Sequence, residues 1–394
     1  MLNQDTIREA TRLTRAGQLA EATALLQRVL RGPRDPDATS HATERLLLGR
    51  EPLTIDAKGN DVEEADSAHL ARARSAPPPG LRPLFDRAKD GSWLGMRGVK
   101  RTPATKSDIL PESAKYIEGA FSNAAGSRAY KLFIPSGYEG QPLPLVVMLH
   151  GCTQSPDDFA AGTRMNFIAE EQTCFVVYPA QRSDANPSKC WNWFRTADQQ
   201  RGGGEPSLIA GITRQVMRDY SVDSKRVYVA GLSAGGAAAA IMGETYNDLY
   251  AAVGIHSGLA CGAATDMPSA FSAMRQGGGL RNLVSDNQPP LPAIIFHGDS
   301  DTTVHPNNGA QVLEQILGTT RTEKTVYRSQ IPRGHGYTRT THTDANNREI
   351  LEHWNIHGAG HAWSGGNPAG SYTDPQGPDA TREMLRFFLR HSLP

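Results

Sequence analysis

The sequence predicts an α/β protein with a mostly parallel, doubly wound sheet. Apolar runs of strand length recur from about residue 116, and helix-compatible segments lie between most of them. One of these runs leads into a Gly-x-Ser-x-Gly turn that is followed by a run of small, helix-forming residues. Strands that alternate with helices are typical of parallel sheets, because parallel strands need long crossover connections. The runs are residues 130–134, 145–149, 174–178, 227–230, 252–255 and 293–296, followed by 325–331 and 350–356, and a last helix is predicted at 381–391.

The composition is balanced in charge. The chain has 394 residues with 41 basic and 41 acidic side chains, and its formal net charge is zero. This balance gives no sign of a broad nucleic-acid surface or of affinity for anionic membranes. No apolar stretch approaches the roughly 18 residues that a membrane span requires. The first residues lack the apolar core of a secretory signal peptide, so this feature favours a cytoplasmic protein.

Three regions of the sequence differ in composition and in hydrophobic pattern. Residues 1–33 contain two short amphipathic patterns broken at Gly17 and predict a helical hairpin. One hairpin cannot bury its own apolar face, so we expect it to dock on the main domain or on a second copy of the chain. Residues 34–115 are rich in Pro, Gly and charged residues and predict a partly disordered linker. Residues 116–394 are predicted to form the domain that carries the chemistry.

The turn at residues 231–235 (Gly-Leu-Ser-Ala-Gly) has the pattern of a nucleophile elbow. In such an elbow a tight strand-to-helix turn holds the serine in a strained backbone conformation and exposes its hydroxyl at the sheet edge. Glycines flank the serine because a Cβ there would collide with neighbouring backbone. Ser233 is therefore the candidate nucleophile.

A serine nucleophile needs a base and an acid that orients the base. The acid is expected just after the strand run at 293–296, where His-Gly-Asp-Ser-Asp follows. We favour Asp301, because residues 298–299 are expected to form the turn itself, and Asp299 is the second choice. A metal site built from His297, Asp299, Asp301 and His305 is a weaker alternative, since so tight a turn would not aim four side chains at one point.

The candidate base is His361, in a glycine-rich loop after the last apolar run. The loop is long enough to reach over the sheet edge towards Ser233. His357 lies four residues earlier, but Gly358 and Gly360 argue against a metal-binding helix here. The order Ser, Asp, His along the chain is that of the α/β-hydrolases.

An oxyanion hole is expected after the early strand run at 145–149, which leads into His-Gly-Cys-Thr-Gln at 150–154. The expected donors are the backbone N–H groups of Cys152 and Ala234. Cys152 and Cys190 both adjoin motifs and could form a disulfide, whereas the missing export signal is equally compatible with reduced thiols. Cys174 lies in an apolar run and is predicted to be a buried thiol.

Five motifs together resemble the poly(3-hydroxybutyrate) depolymerase family of esterases, specifically the type 1 catalytic domain of short-chain-length polyhydroxyalkanoate depolymerases. They are residues 150–154, 190–194 (Cys-Trp-Asn-Trp-Phe), 231–236, 297–301 and 358–366. The resemblance covers roughly residues 116–394. It implies an α/β-hydrolase with Ser233 as nucleophile, Asp301 as acid, His361 as base and Cys152 as an oxyanion donor, with no metal or organic cofactor.

The resemblance also implies a substrate class and a location. It points to poly- or oligo(3-hydroxybutyrate)-type esters, with carbohydrate esters of the feruloyl and acetylxylan kind, or general short-chain esters, as the alternative. A non-catalytic granule-binding or scaffold protein is a third hypothesis, which the complete set of Ser, Asp and His disfavours. Secreted members generally carry a signal peptide and a C-terminal substrate-binding domain, neither of which this sequence shows. The family therefore suggests an extracellular protein where the N-terminus suggests a cytoplasmic one.

Aromatic side chains lie in or beside these motifs. Aromatic walls suit an aliphatic polyester or an acyl chain through apolar contact. Trp191 and Trp363 are predicted to line the rim of the substrate pocket, whereas Trp193 and Phe194 are equally compatible with core packing.

Overall fold

The computed structural model describes residues 104–278 and 290–394. The predicted helical hairpin at 1–33 and nearly all of the predicted linker lie outside these residues. The last residues assigned to the linker do belong to the folded domain. They contain helix α1 (Lys106–Ile109), and the Ile109 side chain is buried.

In the described residues the fold is built on a ten-stranded sheet with the order β1-β2-β4-β3-β5-β6-β7-β10-β9-β8. A second sheet pairs only β11 with β12. The strands are β1 (Lys115–Asn123), β2 (Gly126–Ile134), β3 (Leu143–Leu149), β4 (Phe175–Pro179), β5 (Val222–Leu232), β6 (Ala252–His256), β7 (Ala293–Gly298), β8 (Glu323–Gln330), β9 (Gly336–Thr343), β10 (Glu349–Ile356), β11 (Trp363–Ser364) and β12 (Thr373–Asp374).

The centre of the large sheet is parallel, as the sequence predicts. Strands β4, β3, β5, β6, β7 and β10 pair in parallel, and antiparallel strands extend the sheet at both sides. Each predicted apolar run overlaps one strand of this sheet, and the runs 174–178 and 325–331 each extend one residue beyond it. The prediction missed β1 and β9, which belong to the antiparallel flanks; β1 is largely exposed, and β9 is mostly half-buried. Strands of this kind lack the continuous apolar run that burial on both faces requires.

Helices cover both faces of the sheet. The remaining helices are α2 (Pro156–Thr163), α3 (Met165–Gln172), α4 (Gly204–Asp219), α5 (Ala234–Thr245), α6 (Met267–Gln276), α7 (Asn307–Leu317) and α8 (Ala380–Phe388). Apolar residues of α4 to α7 belong to one core cluster, and those of α1, α2, α3 and α8 belong to the other. None of the helices within the described ranges has the length and apolar character of a membrane span.

Strand β3 illustrates why the central strands are apolar throughout. All seven of its residues are buried. Val147 belongs to the cluster on one face and Val146 to the cluster on the other, because successive side chains of a strand point in opposite directions. The parallel sheet brings the carboxyl ends of β3, β5, β6, β7 and β10 to one edge, where the candidate site lies.

Candidate active site

Ser233 occupies the sharp turn between β5 and α5. Its backbone has φ 58° and ψ −120°, a conformation that side-chain-bearing residues rarely adopt and that costs about 1–3 kcal/mol. Its backbone N–H donates to the carbonyl of His256 at the end of β6, over 2.9 Å. Within residues 104–278 and 290–394, the Ser233 hydroxyl makes no side-chain hydrogen bond. The elbow therefore places at the sheet edge a hydroxyl that makes no hydrogen bond to the described residues.

The glycines beside Ser233 are required by close backbone approach. A Cβ on Gly231 would lie 2.2 Å from the carbonyl oxygen of Gly235. A Cβ on Gly235 would lie 2.0 Å from the carbonyl oxygen of Leu149, at the end of β3. Both distances are far below van der Waals contact, so only glycine fits where the turn presses against the neighbouring strand.

Asp301 and His361 form a direct acid–base pair. The Nδ1 atom of His361 lies 2.7 Å from Oδ2 of Asp301, and the carboxylate is fully buried. The other carboxylate oxygen accepts the backbone N–H groups of Thr303 and Val304, each at 2.9 Å. Burial by itself raises the pKa of Asp301, but the hydrogen bond and charge of His361 outweigh it, so the net pKa is lowered from its ordinary value. Asp301 is thus an ionised acceptor for the imidazole N–H.

Asp299, the second choice for the acid, has other partners. Its Oδ2 lies 2.9 Å from Nδ1 of His357, and its Oδ1 accepts the backbone N–H of Gly358 over 2.7 Å. Both side chains of the Asp299–His357 pair are more than a third exposed. Asp299 therefore ties the start of the His361 loop to the loop after β7 and does not contact His361 itself.

His256 joins the serine elbow to the histidine loop. Its carbonyl accepts the Ser233 N–H, and its Nε2 accepts the N–H of Ser364, three residues after His361, over 3.0 Å. The ring stacks between Phe296 and Trp363, with centroids 5.7 Å and 5.1 Å away. Burial lowers the pKa of His256 to about 3, so the ring is a neutral acceptor. In this way Ser233 and the His361 loop are both held by His256, the serine through the backbone carbonyl and the loop through the buried ring.

Hydrogen bonds to its backbone N–H and C=O groups fix the loop after β3. The carbonyl of His150 accepts Nε1–H of Trp191, and the N–H of Gly151 donates to Oε1 of Gln154. The carbonyl of Gly151 accepts from the His150 ring, and the N–H of Thr153 donates to the carbonyl of Ser188. In the described parts of the chain the N–H of Cys152 donates no hydrogen bond. Ala234 begins helix α5, so its N–H has no intrahelical partner either.

Comparison with known proteins identifies the family. A family model for Esterase PHB depolymerase matches residues 128–328, just over half of the chain and most of the sheet. The chain belongs to this family. The relatives are carboxylic ester hydrolases, and the mostly parallel sheet covered by helices on both faces is an α/β-hydrolase fold.

The relatives of this PHB depolymerase family chain include polyester depolymerases and acetylxylan esterases. Poly(3-hydroxyalkanoate) depolymerase C of Paucimonas lemoignei is 36% identical over 238 residues, which cover 58% of this chain and 56% of that protein. Acetylxylan esterase A of Talaromyces purpureogenus is 26% identical over 226 residues, which cover 53% of this chain and 58% of the relative. The chain thus spans less than two thirds of either relative.

A solved structure shares the fold of this family member. The acetyl xylan esterase from Aspergillus awamori superposes with a TM-score of 0.54 at 19% identity, covering 71% of this chain and 99% of that one. At this identity the likeness establishes the α/β-hydrolase fold alone.

A disulfide joins two of the family motifs. Cys152 and Cys190 are bonded, which decides between the two alternatives left by the sequence. With the Trp191 and Ser188 hydrogen bonds, it attaches the segment 188–191 to the loop after β3. Cys174 is buried with a free thiol, as predicted, and burial raises its pKa.

We expect loss of this disulfide to affect stability more than turnover. Closing 38 residues of chain stabilises the fold by about 2–4 kcal/mol, mainly through the unfolded state. The hydrogen bonds around Cys152 do not involve its sulfur, so we expect Cys152→Ser/Cys190→Ser to keep kcat within about tenfold at 25 °C. Urea unfolding and ester hydrolysis, each with and without dithiothreitol, measure the two effects. Reductant should lower the stability of the wild type and leave that of the double variant unchanged. Equal stability of the wild type and the double variant without dithiothreitol would contradict this prediction.

The predicted pocket-rim role of Trp191 and Trp363 is wrong for this structure. Trp191 is 0% exposed and Trp363 is 1% exposed, so neither ring can touch a substrate without rearrangement of the core. Each indole N–H is used internally: Trp191 donates to the His150 carbonyl, and Trp363 donates to Oγ1 of Thr381. Trp193 and Phe194 are also buried, in the core role that the sequence left open. These aromatic residues support the loops that carry the site.

Thr381 provides a test of the Trp363 anchor. Its hydroxyl accepts Nε1–H of Trp363 at 2.9 Å and donates to the carbonyl of Thr163 at 2.6 Å, in a fully buried setting. Thr381→Val keeps the shape but leaves both partners unsatisfied, so we expect a loss of about 2–3 kcal/mol in the free energy of unfolding. Urea denaturation measures it, with Thr381→Ser as the matched control that retains the hydroxyl. A valine variant as stable as the serine variant would show that these bonds contribute nothing.

Sequence reasoning missed the buried polar residues behind the site. Besides Gln154 and His256, Glu205 accepts the backbone and side-chain N–H groups of Asn192 and contacts Gln181 and Arg128. Burial raises the pKa of Glu205. These residues come from separate strands, loops and helices, and only the polar residue at 154, next to the His-Gly motif, carried a local signal.

Proposed function

We propose that this chain is a serine esterase that hydrolyses short-chain polyester bonds of the poly- or oligo(3-hydroxybutyrate) type. The observation that carries the proposal is the Asp301–His361 pair on the loops beside the strained Ser233. Within the described residues, two backbone N–H groups near the serine have no acceptor: that of Cys152, in the loop after β3, and that of Ala234, the first residue of α5. Together these groups supply a nucleophile, a base, an orienting acid and oxyanion donors.

The chemistry proceeds through an acyl-enzyme. Because Nδ1–H of His361 donates to Asp301, the lone pair of the imidazole is on Nε2, where it can accept the Ser233 proton. The Ser233 oxygen attacks the ester carbonyl, and the oxyanion that forms accepts the N–H groups of Cys152 and Ala234. The imidazolium then gives its proton to the leaving alkoxide, and the C–O bond breaks to leave an acyl-serine and a free alcohol.

Water completes the cycle by the same steps. His361 takes a proton from water, whose oxygen adds to the acyl carbonyl, and the second oxyanion is held by the same two donors. The imidazolium returns its proton to the Ser233 oxygen as the carboxylic acid leaves. Each oxyanion donor of this kind lowers the barrier by about 3–4 kcal/mol. Asp301 keeps the imidazole in the required tautomer and stabilises its cation.

The substrate class is supported by the relatives. Identity is 36% to a polyhydroxyalkanoate depolymerase, against 26% to an acetylxylan esterase. A carbohydrate-ester esterase is the second candidate, favoured by the 26% identity to acetylxylan esterase A.

A panel of esters tests the proposal. We expect the wild-type protein to hydrolyse p-nitrophenyl butyrate and 3-hydroxybutyrate trimer with a higher kcat/KM than acetylated xylo-oligosaccharides or methyl ferulate. The Ser233→Ala protein serves as the blank. Preference for the acetylated or feruloylated sugars would favour the second candidate, and equal rates for wild type and blank on every ester would refute esterase activity.

A further inference from the structure

The His150 ring is buried directly behind the loop that carries Cys152. Its Nδ1 lies 2.7 Å from the carbonyl oxygen of Gly151, and its Nε2 lies 3.1 Å from the backbone nitrogen of Gln181. A carbonyl can only accept and a backbone N–H can only donate, so Nδ1 carries the proton and Nε2 is bare. The ring is 1% exposed, and burial lowers its pKa to about 4. His150 is therefore a neutral imidazole with a defined tautomer.

The carbonyl that His150 holds belongs to the same peptide as the N–H of Cys152. A peptide unit is planar and trans, so its C=O and N–H point in opposite directions within one plane. Any group that fixes the direction of the Gly151 carbonyl also fixes the direction of the Cys152 N–H. The donated hydrogen bond further polarises the peptide and strengthens its N–H as a donor.

Other contacts of this loop act on neighbouring peptides. The Trp191 indole and the Gln154 side chain hold the peptide between residues 150 and 151, and Oγ1 of Thr153 donates to the carbonyl of the next peptide, that of Cys152. The peptide between residues 151 and 152 is held by the His150 ring and by a longer bond of 3.4 Å from the Gln154 backbone N–H.

We propose that His150 is a positioning residue for the oxyanion hole, which aims the Cys152 N–H at the reacting ester by holding the opposite end of the same peptide. This inference rests on the proposed function. It gives His150 a role in the transition state without contact with the substrate. Loss of the Nδ1 donor would let the peptide rotate and weaken binding of the oxyanion more than binding of the neutral ester.

Two substitutions test the two ring nitrogens of His150 separately. In His150→Asn the Nδ2 amide replaces Nδ1 and can still donate to the Gly151 carbonyl, whereas the Gln181 N–H loses its acceptor. In His150→Gln the terminal oxygen can accept the Gln181 N–H, whereas the donor at the δ position is lost. His342→Gln, at another buried histidine in β9, is the matched control for placing glutamine where an imidazole was.

The measurements are kcat and KM for p-nitrophenyl butyrate, the inhibition constant of an alkyl trifluoromethyl ketone that forms a tetrahedral adduct with serine, and the melting temperature. We expect His150→Gln to lower kcat and weaken the inhibitor by a similar factor, roughly 10²-fold, with KM little changed. His150→Asn should retain kcat within about tenfold of wild type although its melting temperature falls. His342→Gln should lower only the melting temperature.

The outcomes are distinct. A folded His150→Gln protein with wild-type kcat overturns the positioning role. A folded His150→Asn protein whose kcat falls by roughly 10²-fold also overturns it. If His150→Gln fails to fold, His150→Asn alone decides. A wild-type protein that hydrolyses no ester refutes the proposed function instead, and normal wild-type turnover with unaffected His150 variants refutes only this inference.

Discussion

Ser233→Ala is expected to lower kcat for p-nitrophenyl butyrate by on the order of 10⁶-fold. The variant removes the atom that forms the acyl-enzyme in the proposed mechanism, and residues 231–235 contain no second hydroxyl. What should remain is the activity that substrate binding and the two proposed oxyanion donors supply without a nucleophile. The loss should appear as a disappearance of the burst of nitrophenol in stopped-flow kinetics as well as in steady-state turnover.

The control for this variant is its stability. Alanine keeps a Cβ at φ 58°, so Ser233→Ala should unfold at the same urea concentration as the wild type. Ser233→Gly removes the Cβ and should be more stable by roughly 1 kcal/mol, because glycine adopts this backbone without strain. A Ser233→Ala protein that is folded and retains more than about a tenth of wild-type kcat would rule out Ser233 as the nucleophile.

Asp301→Asn is expected to lower kcat by about 10⁴-fold. In the wild type one carboxylate oxygen accepts two backbone N–H groups, those of Thr303 and Val304, and the other accepts Nδ1–H of His361. Asparagine has a single oxygen, and the two fixed backbone donors will take it. The amide NH₂ then faces His361 and forces the proton of the imidazole to Nε2. Such a histidine cannot accept the Ser233 proton.

Asp299→Asn is the matched comparison on the same loop. Asp299 accepts from His357 and from the backbone of Gly358, so its replacement loosens the start of the His361 loop without changing the tautomer of His361. We expect a loss of kcat of less than about tenfold and a lower melting temperature. Should Asp299→Asn lose several orders of magnitude while Asp301→Asn stays active, the assignment of the acid would be reversed. Steady-state kinetics of both purified variants against the wild type measure this.

Much of the sheet was predictable because burial on both faces demands continuous apolar runs. The sequences of the parallel strands β3 to β7 and β10 contain such runs, whereas β1 and β9 lie in antiparallel flanks and have no continuous apolar run. The elbow was predictable for a related reason. Two glycines around a serine, between a strand run and a small-residue helix, meet a local steric demand that any sequence with this turn must satisfy.

The aromatic residues show where local reasoning fails. Trp191 and Trp363 were predicted at the pocket rim from their place beside the motifs, yet both are buried as donors to distant groups. Position next to a motif says that a residue lies near the site but not on which side of the loop its ring lies. That side is chosen by packing against residues from elsewhere in the chain, such as Thr381.

From its residues alone, this chain predicts its fold class, the strained serine, and a Ser, Asp, His order, because these depend on local periodicity, local sterics and chain order. The three-dimensional fold decided which aspartate holds His361, whether Cys152 and Cys190 pair, and which side chains hold the loop that contains Cys152. Each of those depends on distances between atoms that are far apart in the chain. His150 combines the two: its place in the His-Gly motif is visible in the sequence, but its hold on the Cys152 peptide follows only once Gln181 fixes its tautomer.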